Sequence, residues 1–185
     1  MKHLVLIAAT VGISLAACNN NKPAGNTDST QTVAGTPAAP AVSPVKEIVS
    51  GYLQIKNALA ADNASDAAAA GKTLAAAFGS IDASTIPAEH KTLYTEIEGN
   101  AKEHAEHIGD NAGNIKHQRE HFEMLSKDVY DLVKAMGAGQ PLYYDFCPMY
   151  NDNKGGSWLS ETQEIKNPYF GSSMLTCGSV KEELK

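Results

Sequence analysis

The sequence predicts a mainly α-helical fold, an antiparallel four-helix bundle followed by an irregular C-terminal lobe that contains two cysteines. Three observations support this prediction. Apolar residues recur at every third or fourth position between residues 45 and 136, which is the helical period. Short connections divide this stretch into four segments, as in antiparallel bundles. After Pro141 the helical period stops, and aromatic residues, turn sequences and cysteines follow.

The first 17 residues have the composition of a secretion signal. A basic start with Lys2 precedes an apolar run that is too short to span a bilayer comfortably, and the run ends in Leu15-Ala16-Ala17-Cys18. This ending resembles a bacterial lipobox, in which the cysteine is lipidated. We therefore expect a lipoprotein signal peptide at 1–17 and a lipid on Cys18; the alternative is an ordinary signal peptide. The expected location is the cell envelope, lipid-anchored to a membrane and facing the periplasm.

The next segment, residues 18–44, has the composition of a flexible linker. It is rich in Asn, Thr, Ala, Gly and Pro and has few large apolar side chains to bury. The remaining residues suffice for one domain, with the helical bundle at 45–140 and the lobe at 141–185 packed on it. The net charge of −6 and the lack of basic clusters argue against a nucleic-acid partner.

Two helices are predicted in the first half of the bundle. The first follows Pro44, which suits a first-turn position. Its apolar stripe consists of Val45, Ile48, Val49, Tyr52, Ile55 and Leu59. The second, from about residue 65 to 78, is rich in alanine, with Ser65 as a candidate N-cap and Gly79 as its end. Its small side chains predict a close approach by a neighbouring helix.

Two further helices are predicted on either side of a turn at residues 109–113. The third begins near Pro87. Its stripe consists of Leu93, Ile97, Ala101, His104 and Ile108. The fourth ends at Gly137, before Pro141. Its stripe consists of Ile115, Phe122, Leu125, Val129, Leu132 and Met136, with Gln118 filling the gap.

Four of the six histidines flank this turn. They are His104, His107, His117 and His121. The last two are four residues apart and share one helix face, and a hairpin turning about Asn111 places His104 beside them. The sequence thus predicts a cluster of candidate metal ligands, because imidazole is a common ligand. The alternatives are a solvated His117–His121 pair and, for His107, an interaction with the helix dipole.

Sulfur atoms are concentrated in the lobe. Cys147-Pro148-Met149 is followed, about thirty residues later, by Met174 and Cys177. Thiolate and thioether are soft ligands that favour copper(I). All four residues are therefore candidate ligands, together with the histidines.

Cys147 and Cys177 remain as a pair once Cys18 carries a lipid. One interpretation is a structural disulfide, which an oxidising compartment permits and which would contribute about 3–4 kcal/mol. A second is a metal site that uses both thiolates with Met149 and nearby histidines. A third is a redox-active pair, although no Cys-x-x-Cys is present. The first two can coexist, as a disulfide when oxidised and a copper(I) site when reduced.

Several motifs together resemble a bacterial domain family of unknown function. They are Phe146-Cys147-Pro148-Met149, Gly156-Ser157-Trp158-Leu159-Ser160, Asn167-Pro168-Tyr169-Phe170-Gly171, Met174-Leu175-Thr176-Cys177-Gly178 and His117-Gln118-Arg119-Glu120-His121-Phe122. The resemblance extends over about residues 43–180. The family occurs as small lipoproteins and as a C-terminal extension of periplasmic adaptor subunits in heavy-metal efflux systems. The resemblance therefore implies an association with the efflux of copper or related metals.

The predicted function is metal binding rather than catalysis. The sequence has no nucleophile elbow, no His-Glu-x-x-His motif and no phosphate-binding glycine loop. We expect a membrane-tethered protein that binds copper(I), or alternatively zinc or silver, and buffers the ion or delivers it to an efflux adaptor protein. The competing hypothesis is a disulfide-stabilised interaction module of the envelope that binds no metal.

Overall fold

The computed structural model describes residues 43–185, which form a mainly helical domain with a small antiparallel sheet near the C-terminus. The predicted signal peptide, the lipidation site at Cys18 and most of the predicted linker lie outside these residues. The last two linker residues are described, and the Ser43 hydroxyl donates a hydrogen bond to the Gly137 carbonyl at 2.7 Å. Within residues 43–185, no helix combines the length and the apolar composition of a membrane span.

Four long helices occupy the first two thirds of the described chain. They are α1 (Lys46–Ala60), α2 (Ala64–Ser80), α3 (Lys91–Asp110) and α4 (Ile115–Met136). Each helix packs against the next one in the chain, and α1 also packs against α4. Several boundaries differ from the predictions, and α2 continues through Gly79 to Ser80 instead of ending before Gly79. The α2 cap is Asn63, whose side chain accepts from the Asp66 backbone N–H, and α3 starts at Lys91 because Ala88–His90 forms a separate 3₁₀ turn.

The predicted close approach to the alanine-rich helix is confirmed. A Cβ atom on Gly71 in α2 would lie 2.7 Å from the Ala105 carbonyl oxygen and 2.8 Å from the Gly109 nitrogen of α3. Real Cβ atoms do not approach other atoms so closely, so glycine is required for this backbone separation. The apolar stripes meet in one core, in which Tyr52, Phe78 and Phe122 are fully buried.

The lobe predicted to be irregular contains a three-stranded antiparallel sheet, and in this respect the prediction is wrong. The strands are β1 (Leu142–Cys147), β2 (Gly156–Ser160) and β3 (Ser179–Leu184), in the order β2-β1-β3. Only β1 lies where the sequence suggested an extended segment. Four of the five residues in β2 are buried. The strand therefore lacks the alternation of apolar and polar residues that is typical of a strand with one face in solvent.

The sheet belongs to the same core as the helices. Trp158 and Leu159 of β2 are fully buried, as predicted for an inward-facing anchor. The Tyr52 hydroxyl of α1 accepts from the Leu159 backbone N–H at 2.9 Å and lies 2.8 Å from the Ser126 hydroxyl of α4. These contacts fix the position of the sheet relative to α1 and α4.

Candidate metal centre

The four histidines of the predicted cluster lie where α3 ends and α4 begins. The Asn111 side chain donates to the His107 carbonyl at 2.8 Å, at the C-terminal end of α3. Asn114 caps α4, because its side-chain oxygen accepts from the His117 backbone N–H at 3.2 Å. Each asparagine thus makes a hydrogen bond at the end of one of the two helices that carry the histidines.

A buried glutamine fixes the two helices beside the cluster. The Gln118 side chain is fully buried, and its amide donates to the Ile108 carbonyl at 3.0 Å and to the Ala64 carbonyl at 2.9 Å. The sequence placed Gln118 within the apolar stripe of α4, and its burial confirms that placement. A neutral amide that donates to carbonyls of both α3 and α2 holds the adjoining turn of α4 in position.

The structure brings the four imidazole rings together. The Nδ1 atoms of His104 and His121 lie 3.2 Å apart, between α3 and α4. The ring of His107 stacks on that of His121, with centroids 4.2 Å apart and planes only 3° from parallel. His117 meets His121 edge-on at 4.5 Å between centroids. Among the described residues, His107, His117 and His121 can each offer one nitrogen such that all three lie within 4.8 Å of one another.

His104, His117 and His121 are partly buried, whereas the His107 side chain is 45% exposed. Burial lowers the pKa of His104. Burial, and then the neighbouring charges of His107 and His117, lower the pKa of His121 to about 4. A neutral imidazole has a free lone pair, which metal binding requires. His121 is therefore in its ligand form at pH 7.

Two carboxylates lie beside the cluster. Glu103 Oε1 is 3.7 Å from His107 Nε2, one turn earlier on α3. Glu120 Oε2 is 3.5 Å from His117 Nδ1, within the first two turns of α4. Both glutamates are visible in the sequence at i,i+4 and i,i+3 spacing to histidines, but acidic residues on helices are usually solvated, so the sequence predicted no role for them in the site.

The two lobe cysteines form a disulfide. Cys147 at the end of β1 is fully buried, and its Cα lies 5.7 Å from that of Cys177. In this oxidation state neither sulfur is a thiolate, so neither is available as a thiolate ligand. Met149 is 52% exposed in the turn after β1, and Met174 is half-buried close to Cys177.

The sulfur-containing lobe and the histidines contact different faces of α4. Arg119 Nε donates to the Pro168 carbonyl at 2.7 Å, and Asn151 Nδ2 donates to Glu123 at 3.3 Å. Arg119 and Glu123 each follow a cluster histidine by two residues, which places them about 200° further round the helix. The lobe therefore packs on the face of α4 nearly opposite His117 and His121. The sequence left open whether the histidines and the sulfurs meet, and these contacts do not support a shared site.

A buried carboxylate that the sequence did not indicate lies in the central strand of the sheet. Asp145 of β1 is fully buried, and in the described structure neither carboxylate oxygen has a hydrogen-bond partner. Burial raises its pKa to about 7, against the opposing charge of Lys56. The Lys56 side chain is itself 1% exposed and pairs with Glu161 at 2.8 Å. Asp145 lies in an aromatic stretch that gave no signal for a buried charge.

The described residues thus form a mainly helical domain with a small C-terminal sheet, a Cys147–Cys177 disulfide and a cluster of four histidines. Residues 48–141 match the model of a family described as a protein of unknown function (DUF3347). Because the match covers just over half of the chain, the protein belongs to this family, and the predicted membership of an unknown-function domain family is confirmed. Curated proteins and solved structures yielded no significant match.

The family match includes α1 to α4 and all four cluster histidines. It ends at Pro141, immediately before β1, so Cys147, Cys177 and Met149 lie outside it. The histidine cluster is therefore within the matched family domain, whereas the disulfide and the sheet follow it.

Proposed function

We propose that this protein binds a transition-metal ion at the cluster formed by His107, His117 and His121. The observation that carries the proposal is the convergence of three imidazole nitrogens within 4.8 Å of one another. Nitrogens around one tetrahedral zinc ion, at bonds of about 2.0–2.1 Å, lie about 3.3 Å apart. Metal binding would therefore have to bring the nitrogens closer together and to rotate the His107 ring out of its stack on His121, because an imidazole lone pair lies in the plane of its ring.

Imidazole ligands favour zinc or copper(II) over the copper(I) first expected from the sulfur atoms. Imidazole suits zinc, copper, iron and nickel, whereas copper(I) and silver prefer sulfur. The disulfide removes both thiolates in the oxidised protein. Three protein ligands on a partly exposed face also leave a coordination position open, which suits an ion that is exchanged with a partner.

The cellular role that we propose is buffering of the ion or its delivery to an efflux adaptor protein. It combines the histidine cluster with the lipoprotein signal inferred from residues 1–17 and the lipid on Cys18. The lipid anchor would hold the domain on a membrane facing the periplasm, and the linker would let it reach a partner. In this proposal α1 to α4 act as an antiparallel four-helix bundle that holds the ligands, with no catalytic role.

The decisive experiment is titration of the purified chain with zinc and with copper(II), monitored by calorimetry. We expect one tight equivalent for the wild type and its loss in a His107→Gln/His117→Gln/His121→Gln variant. His90→Gln is the matched control, since His90 lies at the opposite end of α3. Failure of the folded wild type to bind either ion, or equal binding by the triple variant, would contradict the proposal.

A second candidate is a copper(I) site that forms only after reduction of the disulfide. The observation in its favour is the juxtaposition of Cys147 and Cys177, with Met149 and Met174 close to them in sequence. Titration with copper(I) in the presence of reductant, using Cys147→Ser/Cys177→Ser as the variant, separates it from the histidine site. If neither site binds metal, the disulfide-stabilised interaction module remains, and free-thiol titration of envelope-purified protein should then detect no free Cys147 or Cys177.

A further inference from the structure

Each of the three proposed ligands has a polar side chain beside one of its ring nitrogens. A neutral histidine carries one N–H and one lone pair, and only the nitrogen with the lone pair can bind a metal ion. The tautomer is set by the hydrogen bond that the N–H nitrogen makes to a neighbouring group. Metal-ligating histidines usually have such a hydrogen-bond partner on the nitrogen that does not bind the metal. The inference below rests on the proposed metal site.

Two of these partners are carboxylates on the same helix as their histidine. Glu103 lies beside Nε2 of His107, at 3.7 Å, and Glu120 lies beside Nδ1 of His117, at 3.5 Å. Both distances are too long for hydrogen bonds as they stand, and a small side-chain rotation would close them. An ionised carboxylate only accepts hydrogen bonds, so each places the proton on the histidine nitrogen that it faces.

The third partner is another histidine. The contact at 3.2 Å between Nδ1 of His104 and Nδ1 of His121 requires a proton on one of the two nitrogens. If His121 donates, its Nε2 keeps the lone pair and is free to bind an ion, and His104 is the acceptor.

We propose that Glu103, Glu120 and His104 are positioning residues that select the metal-binding nitrogens of the cluster. The selected atoms are Nδ1 of His107, Nε2 of His117 and Nε2 of His121. The two carboxylates also add negative charge next to a bound cation. Glu120 is shared, because Lys116 lies 4.0 Å from its other oxygen.

The first test reads the tautomers directly in the metal-free protein. Two-bond ¹H–¹⁵N spectra at pH 7.5 should show the proton on Nδ1 of His117 and His121 and on Nε2 of His107. The Nδ1–H forms are the informative ones, because exposed neutral histidine prefers the Nε2–H form. Glu120→Ala should return His117 to the Nε2–H form, whereas an Nε2–H form of His117 in the wild type would overturn the assignment.

The second test measures zinc affinity in the full chain. Glu103→Ala and Glu120→Ala should each weaken zinc binding by about 10- to 100-fold, as is typical for outer partners, and glutamine at either position should restore part of the loss because its amide oxygen still accepts. Glu106→Ala is the matched control, since Glu106 is on the same helix but pairs with Lys102. All of these side chains are exposed, and circular dichroism will verify that each variant is folded.

The outcomes separate the two proposals. If the wild type binds zinc and the Glu103 and Glu120 variants bind it equally tightly, the positioning role is wrong and the metal site stands. If the folded wild type does not bind zinc, the proposed function fails and the positioning role fails with it. Partial rescue by glutamine together with the expected tautomers would support both.

Discussion

Nδ1 of His104 on α3 lies 3.2 Å from Nδ1 of His121 on α4. Two neutral rings can share one proton across this contact, whereas two protonated rings would place like charges against each other. The pKa of His104 is lowered by burial, and that of His121 is lowered to about 4 by burial and by the neighbouring histidines. The contact therefore connects the packing of α3 on α4 to the protonation of the cluster.

Acid should destabilise the metal-free protein through these histidines. The pKa of an ordinary histidine is 6.5, and that of His121 in the native protein is about 4. Between these two pH values the unfolded chain therefore binds more protons at His121 than the native protein does. The free energy of unfolding should therefore fall as the pH is lowered through this window. Urea denaturation with a chelator present should show that His121→Gln reduces this pH dependence and that His90→Gln preserves it. An unchanged dependence in His121→Gln would contradict the prediction.

Asp145 should have the opposite pH dependence. Its pKa of about 7 lies above the ordinary value of 3.8, so the native protein binds the extra proton and is destabilised as the pH rises from about 4 to about 7. Asp145→Asn keeps the shape and removes the charge. We expect the variant to be more stable than the wild type at pH 8 and to lose this advantage at pH 4.

The measurement for Asp145 is urea denaturation at the two pH values, followed by the fluorescence of Trp158, the only tryptophan. Trp158 is the cross-strand neighbour of Asp145 and is fully buried, so its signal reports on this part of the core. Asp152→Asn, in the exposed turn after β1, is the matched control. A stabilisation of Asp145→Asn that is equal at both pH values would show that the charge is not its cause.

The four helices were predictable because each is specified by residues that are close together in the sequence. The stripes of α1, α3 and α4 repeat at the helical period, and a short turn between α3 and α4 forces their histidines together. The strands were less predictable. Residues 156–160 form a short strand buried almost throughout, and β3 is an edge strand with Lys181, Glu182 and Glu183 in succession, so neither shows apolar alternation.

The contacts that fix the lobe are not visible in the sequence at all. Arg119 donates to backbone carbonyls 60 residues before it and 49 residues after it in the chain. A carbonyl acceptor is present at every residue, so no residue type identifies the partner. For the same reason the sequence could not determine which face of α4 the lobe covers, or whether its sulfurs meet the histidines.

Loss of the disulfide should destabilise the domain without abolishing the helical core. Cys147 and Cys177 are 30 residues apart, and a loop of this length corresponds to about 3–4 kcal/mol of stabilisation in the chain-entropy model. Cys147→Ala/Cys177→Ala should lower the free energy of unfolding by about this amount in urea denaturation. A dithiol reductant should destabilise the wild type and leave the variant unchanged. Equal stabilities of wild type and variant would show that the bond contributes nothing to the fold.

Arg119 should be a sensitive charged residue at the junction of helices and lobe. Its side chain is 14% exposed; Nη2 donates to the Leu59 carbonyl at 2.9 Å and to Asp62 at 2.6 Å, and Nε donates to the Pro168 carbonyl at 2.7 Å. Arg119→Ala leaves these acceptors without their donor, and hydrogen bonds to charged groups contribute about 1.5–3 kcal/mol each. We expect a loss of about 2–4 kcal/mol, allowing for water at the more exposed Asp62.

Arg119→Lys tests whether the planar set of N–H donors or the positive charge alone accounts for the stabilisation by Arg119. A lysine keeps the charge but cannot reach two carbonyls and a carboxylate in the same planar geometry, so it should recover less than half of the stability lost in Arg119→Ala. Lys72→Ala is the matched control, because the Lys72–Asp110 pair is exposed and 3.9 Å apart, and exposed pairs contribute about 0–1 kcal/mol. Full recovery by lysine in urea denaturation would show that the lobe is held by charge rather than by the hydrogen bonds to Leu59 and Pro168.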